Sequence, residues 1–109
     1  METKYAMISQ PMNGLTDEQI EATRKKAQEK LGEMGYVVVN TLFSEEWTSR
    51  ENMVANGVVQ IPVKFLAKSL EKMSLCHAVY FCKGWENARG CVIEHEVADK
   101  YGLTIIHEE

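Results

Sequence analysis

The sequence predicts a doubly wound α/β domain: a parallel sheet of four to five strands with helices on both faces. Three observations carry this. Short apolar runs rich in β-branched residues take turns along the chain with amphipathic helical patterns. The valines of the run Tyr36–Asn40 do not alternate with polar residues, as expected where both faces of a sheet are covered. The first strand–helix–strand unit is long enough for a right-handed crossover between parallel strands. With 109 residues the chain is one domain, spanning 1–109.

Tyr5 to Ser9 reads as the first strand, broken by Gln10-Pro11-Met12-Asn13-Gly14, which carries turn chemistry at Pro11 and Asn13-Gly14. Thr16 then caps a helix, with Gln19 three residues on as its capping-box partner. Ile20, Thr23, Ala27, Leu31 and Met34 form the inward face. Arg24, Lys25, Lys26 and Lys30, interleaved with Glu21 and Glu29, read as a solvated face. Gly35 ends the helix, and Tyr36–Asn40 is the second strand.

Residues Thr41 to Ile61 form a long connection, of the kind that is usually functional or mobile. Phe43 and Trp47 suggest that it packs, with a short helix after Ser44; Arg50, Asn52 and Asn56-Gly57 are candidates for a lid or subunit contact. Pro62 suits a first helical turn. Val63, Leu66, Ala67, Leu70 and Met73 mark that helix's apolar face, and Lys64, Lys68 and Lys72 a solvated stripe. His77 to Cys82 is the third strand and Leu103 to His107 the last.

Placing the first and third strands side by side makes a topological switch point, where ligands bind at the strands' carboxyl ends. The Ser9–Gly14 and Gly84–Gly90 loops then face one crevice, and Glu94 opens on it. Val97, Ala98 and Tyr101 lie three, four and seven positions after Glu94, so this carboxylate shares a helix face with apolar residues. It is either a helix-start Glu favoured by the dipole or a preorganised catalytic carboxylate. In both cases the helix field should hold its pKa low.

The formal net charge of -4 argues against a nucleic-acid polymer as partner and permits a small anionic ligand. No apolar run approaches the roughly 20 residues of a membrane span, and the start lacks a signal peptide's apolar core. Cys76, Cys82 and Cys91, an odd number without CxxC spacing, suit a cytoplasmic location. Cys91 reads as a small buried filler. His77, His95 and His107 are scattered and Glu94-His95-Glu96 is not HExxH, so no metal or other cofactor is expected.

The Ser9–Gly14 loop is neither a P-loop nor GxGxxG; it is a phosphate or sugar cradle or a tight turn. Trp85 either stacks on a base or packs in the core. Glu96 precedes Lys100 by four and reads as a surface pair, while Glu86 in the loop is available as an acid/base group. One nucleophilic carboxylate and one proton donor suffice to break a glycosidic bond.

Met7-Ile8-Ser9-Gln10-Pro11-Met12-Asn13-Gly14, Cys76-His77-Ala78-Val79-Tyr80, Gly84-Trp85-Glu86-Asn87-Ala88-Arg89-Gly90 and Glu94-His95-Glu96-Val97-Ala98 together resemble the nucleoside 2-deoxyribosyltransferase superfamily. The closest likeness is to a group of small bacterial and phage domains within it. The resemblance implies a flavodoxin-like fold and a homodimer or higher homo-oligomer. Gly90, Glu94 and Ala98 have the spacing of the superfamily's nucleophile motif, which assigns Glu94 the attack on the anomeric carbon. It also implies that Ser9, Gln10, Pro11, Met12, Asn13 and Gly14 line the sugar or phosphate site. The chain departs from the pattern in places. Met7 stands where many members have a nucleophile-orienting Tyr, with Tyr5 two residues earlier as a substitute. Gln10 replaces a Gly, and Glu86 or Asn87 replaces an acidic loop residue.

The expected function is cleavage or transfer at the N-glycosidic bond of a deoxyribonucleoside or its 5′-monophosphate. Glu94 is the nucleophile, Glu86 the proton donor, and Trp85, Asn87 and Gly90 contact substrate. The alternatives are a non-catalytic binder of a nucleotide or nucleotide-derived signal in the same crevice, and a structural protein with a vestigial one.

Overall fold

The computed structural model describes residues 2–41 and 46–109. Four strands, β1 (Lys4–Ser9), β2 (Tyr36–Val38), β3 (Ala78–Phe81) and β4 (Thr104–His107), form one sheet in the order β2-β1-β3-β4. Every pair is parallel, with Ala6 opposite both Val38 and Ala78, and Val79 opposite Ile105. The chain leaves β1 toward one edge and β3 toward the other. The expected switch point therefore lies between these two strands. The strands are shorter than the apolar runs, but their flanks extend the ladder: Val39 donates to Ala6 at 2.8 Å, His77 to Tyr5 at 2.7 Å and Cys82 to Ser9 at 3.0 Å.

Helix α1 (Asp17–Glu33) starts with the expected Thr16–Gln19 capping box. Its Ala27 and Leu31 pack on Ala6, Ile8, Ala78 and Tyr80, covering one sheet face. Helices α3 (Ile61–Met73) and α4 (Arg89–Lys100) cover the other, where Met73 and Ala98 meet Met7, Val79 and Phe81. Because helices cover both faces, the central strands need no polar alternation, and Ala78–Phe81 is buried at every position. This is a flavodoxin- or Rossmann-like arrangement. Among the described residues no helix is long and apolar enough to cross a membrane.

Two residues of α1 leave their expected faces. Met34 caps the end of α1 and is 46% exposed, because the helix stops before its turn returns to the sheet. Arg24, expected in solvent, is only 6% exposed. It precedes Ala27 by three and Leu31 by seven, so helical geometry turns it inward with them.

The long connection holds a 3₁₀ turn at Glu46–Thr48 and a short helix α2 (Arg50–Ala55) that Ser49 caps by accepting from the Asn52 amide at 3.1 Å. Trp47 packs against Phe65 of α3, ring centroids 5.3 Å apart. The ammonium groups of Lys64 and Lys68 sit 6.0 and 5.6 Å from the Trp47 centroid, so these two are not simply a solvated stripe. Phe43 and Ser44 lie outside the described residues. Pro62 falls in the first turn of α3, where no backbone donor is needed.

Candidate functional site

β1 and β3 end side by side at Ser9 and Phe81, and the chain beyond each turns over the sheet edge. Gly84 makes the second turn possible. Its φ of 87° lies in the left-handed region, and a Cβ there would touch the Pro11 ring at 3.7 Å. The two loops, α3 and the first two turns of α4 border a half-open cavity of about 790 Å³, lined by Gln10 to Asn13, by Gln60, Val63, Leu66 and Ser69, and by Gly84 and Asn87 to Glu94 apart from Val92. This lies within the roughly 300–1,000 Å³ typical of small-molecule sites.

Glu94 lies on this cavity and is 7% exposed. The Ser9 hydroxyl, itself buried, donates to Glu94 Oε1 at 2.7 Å. This is an ordinary length for an O–H···O bond. Burial pushes the Glu94 carboxyl above its ordinary range, while the hydroxyls of Ser9 and Ser69 and the charge of Arg24 pull it back. The expectation of a carboxylate held low by the helix field is therefore corrected. Glu94 is the sixth residue of α4, and Val92 already bonds back to Ala88, so the free N–H groups lie a turn earlier. Desolvation outweighs the dipole at that depth.

The sign of that shift makes a prediction. A carboxyl whose folded pKa is raised favours folding only in its neutral form. Its contribution is intact below the unfolded pKa and is lost as pH rises through the folded pKa. Glu94→Gln mimics the neutral form, so thermal melts should show the variant gaining over the native protein as pH increases above the carboxylate range. A gain of about 1 kcal/mol would raise Tm by roughly 4–8 °C in a domain of this size. Equal melting temperatures across the pH range would contradict it.

Behind Ser9, the Arg24 guanidinium donates from Nε to Gln10 Oε1 at 3.2 Å and from Nη2 to Thr41 Oγ1 at 3.4 Å. Gln10 in turn donates to the Ile20 carbonyl at 2.7 Å, and Thr41 to the Ile8 carbonyl at 3.1 Å. Cys91, one turn before Glu94, is buried, and burial pushes its thiol up, so it fills space as expected.

Of the residues expected at the site, Gln10, Pro11, Met12, Asn13, Asn87, Gly90 and Glu94 share this cavity, and Ser9 reaches it through Glu94. A Cβ on Gly90 would meet nothing within 4 Å, so a side chain there would project into open space. Gly14 is a turn residue off the lining, with φ 78°. Glu86 and Trp85 are not on this cavity. They line a separate hollow with Phe81, Lys83, Gly84, His107 and Glu108. The reason is the 3₁₀ turn Trp85–Asn87, in which successive side chains step by about 120°, so Asn87 faces the large cavity while Trp85 and Glu86 face the other hollow.

Trp85 stacks on His95, centroids 4.0 Å apart at 6°, and packs on Phe81 at 5.5 Å. His95 and His107 are not scattered: their Nε2 atoms are 3.2 Å apart. Among the described residues no group of three or more His, Cys, Asp or Glu side chains could hold a metal ion. The Glu96–Lys100 surface pair forms at 3.7 Å. Tyr5 does not orient Glu94. It lies four residues, about 13 Å of strand, before Ser9 and stacks on His77, centroids 6.2 Å apart. Ser9 makes the contact instead.

Three residues escaped the sequence reading. Arg24 and Ser69 both carried a signal, since Arg24 shares its face with Ala27 and Leu31, and Ser69 follows Leu66 by three and precedes Met73 by four. Arg89 is the first residue of α4 and the one cation among the described lining residues, as Glu94 is the one carboxylate. Neither Gln60 at the start of α3 nor Ala88 at the start of α4 caps its helix with a side chain, so both helices bring uncapped N-termini to the cavity.

No curated protein and no solved structure matches this chain. Residues 4–107 match the model of DUF4406, a domain of unknown function, and the chain therefore belongs to that family.

Proposed function

We propose that the protein cleaves or transfers the N-glycosidic bond of a deoxyribonucleoside 5′-monophosphate, with Glu94 as nucleophile. One observation carries the reading: a buried carboxylate, oriented by the Ser9 hydroxyl at 2.7 Å, at the edge of a cavity large enough for a nucleotide. The likeness to the nucleoside 2-deoxyribosyltransferase superfamily, carried in part by the same residues, also supports it. In the reaction a Glu94 oxygen attacks the anomeric carbon as the C–N bond to the base breaks and its electron pair leaves with the base. The resulting glycosyl ester is released by water or by an incoming base. Ser9 holds the carboxylate in position. A monophosphate is preferred over a nucleoside because two uncapped helix N-termini and Arg89 surround the cavity.

Binding without turnover is the second reading, and a specific observation favours it. Glu86, the expected proton donor, lies on the other hollow, and the described lining of the large cavity holds no second carboxylate. Asn87 can donate a hydrogen bond to a leaving base but not a proton. The test is a panel of deoxynucleosides and their 5′-monophosphates, with and without an acceptor base, followed by chromatography of free base. Base release or exchange supports the enzyme. A ligand-induced rise in Tm without release supports the binder, and neither result leaves a structural role. The resemblance also implies a homo-oligomer, which sedimentation velocity measures.

Arg89→Ala should weaken binding of a 5′-monophosphate by about 10- to 100-fold, the size of a charged hydrogen bond. The parent nucleoside should bind as before. Calorimetry on both ligands checks this, and equal losses for the two would remove Arg89 from phosphate recognition.

A further inference from the structure

We infer that Arg24 is a positioning residue for Glu94: seated by Gln10 and Thr41, it supplies the fixed positive charge that balances the buried carboxylate. Four polar or charged residues are buried among those described: Ser9, Gln10, Arg24 and Glu94. They form one connected set. Glu94 bonds Ser9, Gln10 is the next residue in the chain, and Gln10 accepts from Arg24. The set holds one charge of each sign.

A buried guanidinium is expensive unless an anion balances it. Arg24 makes no ion pair within 4 Å among the described residues; the two pairs there are Lys68–Glu71 and Lys100–Glu96. Its acceptors, Gln10 Oε1 and Thr41 Oγ1, are neutral, and its Nη1 is buried with no hydrogen-bond partner among the described residues. Among the described residues Glu94 is the one buried carboxylate within its electrostatic reach. The other groups around Glu94 add no second charge at this depth: Ser9 from β1 and Ser69 from α3 are hydroxyls, and Cys91 from α4 is held as a thiol. Cys82, between Arg24 and Cys91 electrostatically, is pushed up to about 12 by burial and stays neutral. Arg89 lines the same cavity but is exposed, where solvent screens it. The separation has a chemical use. A contact ion pair would occupy the carboxylate oxygens, whereas a charge held one layer back stabilises the anion and leaves it free to react.

The inference deepens the reading of Glu94 as nucleophile and rests on that reading for its effect on turnover. Its test needs no substrate. The side-chain carboxyl ¹³C signal of Glu94, assigned by its absence in Glu94→Gln, is titrated in the native protein, Arg24→Lys and Arg24→Met. Arg24→Met should raise the midpoint, and Arg24→Lys, which keeps a charge, should raise it by clearly less. A folded Arg24→Met with an unchanged midpoint overturns the proposal and leaves Arg24 a packing residue. If Arg24→Met does not fold, the double variant Arg24→Met/Glu94→Gln decides. Removing both charges should restore folding, and a double variant that stays unfolded also overturns the proposal. Absence of base release from the substrate panel would instead count against the glycosidic reading alone. Where release occurs, the acid limb of its pH profile should move upward with the Glu94 midpoint in the Arg24 variants, because the nucleophile must be ionised.

Discussion

Glu94→Gln is expected to lower base release by at least about 10³-fold while leaving ligand binding largely intact. The amide is nearly isosteric, and its oxygen can still accept from the Ser9 hydroxyl that now sits 2.7 Å from Glu94 Oε1. The side chain therefore stays where it is, and the cavity lined by the Gln10–Asn13 and Asn87–Gly90 segments keeps its shape. What disappears is the negative charge and the nucleophilic lone pair, without which no glycosyl ester forms. The measurement is base release at saturating substrate, run beside a ligand-induced melting shift. Lost release with a preserved shift separates chemistry from binding. Release at the native rate would remove Glu94 from the reaction. The variant's expected gain in stability at higher pH fits the same picture, since a site that holds a buried charge for chemistry sacrifices stability to do so.

Phe81→Ala is expected to lower the free energy of unfolding by about 3–5 kcal/mol, a large part of the roughly 5–15 kcal/mol of a typical domain. Phe81 is fully buried at the end of β3, packed with Met7, Val79, Met73 and Ala98. Its ring also meets Trp85 at 5.5 Å, His95 at 4.7 Å and His107 at 6.0 Å. It thereby joins the sheet to α4, β4 and the 3₁₀ turn that opens into the site wall. Truncation leaves a hole that the surrounding elements cannot close together, because the turn is anchored on both sides: Trp85 donates to the Cys82 carbonyl and Ala88 to Trp85. Urea unfolding reads the loss directly. Phe81→Leu, which retains most of the volume, should lose much less. A loss below about 1 kcal/mol for the alanine variant would mean that the cluster repacks freely.

The local features of the fold were legible because they depend on neighbours in sequence. The Thr16–Gln19 capping box, Pro62 in the first turn of α3 and the Glu96–Lys100 pair follow from spacings of at most four residues. The apolar run at Ala78–Cys82 identified a central strand covered on both faces, whereas the valines of Tyr36–Val38 lie on an edge strand where Val37 is half exposed; topology rules placed β1 beside β3, and the position of β4 came from the structure. The same rules brought the Gln10–Asn13 and Asn87–Gly90 segments to one cavity with Glu94.

Other features depended on direction, depth and distance. The 3₁₀ turn sends Trp85 and Glu86 away from the cavity that Asn87 lines, a choice made by one turn of backbone between neighbouring residues. Burial reversed the expected pKa direction of Glu94, because how far a carboxyl lies from water is set by what covers it. His95 and His107, 12 residues apart, meet only because α4 packs beside β4. Sequence by itself determined the main helices and strands and the strand ends at which the cavity opens, since periodicity and capping are short-range constraints. Only the tertiary structure decided that Arg24 and Glu94 share one buried polar set through Gln10 and Ser9, because long-range contacts and desolvation arise when distant segments exclude water together.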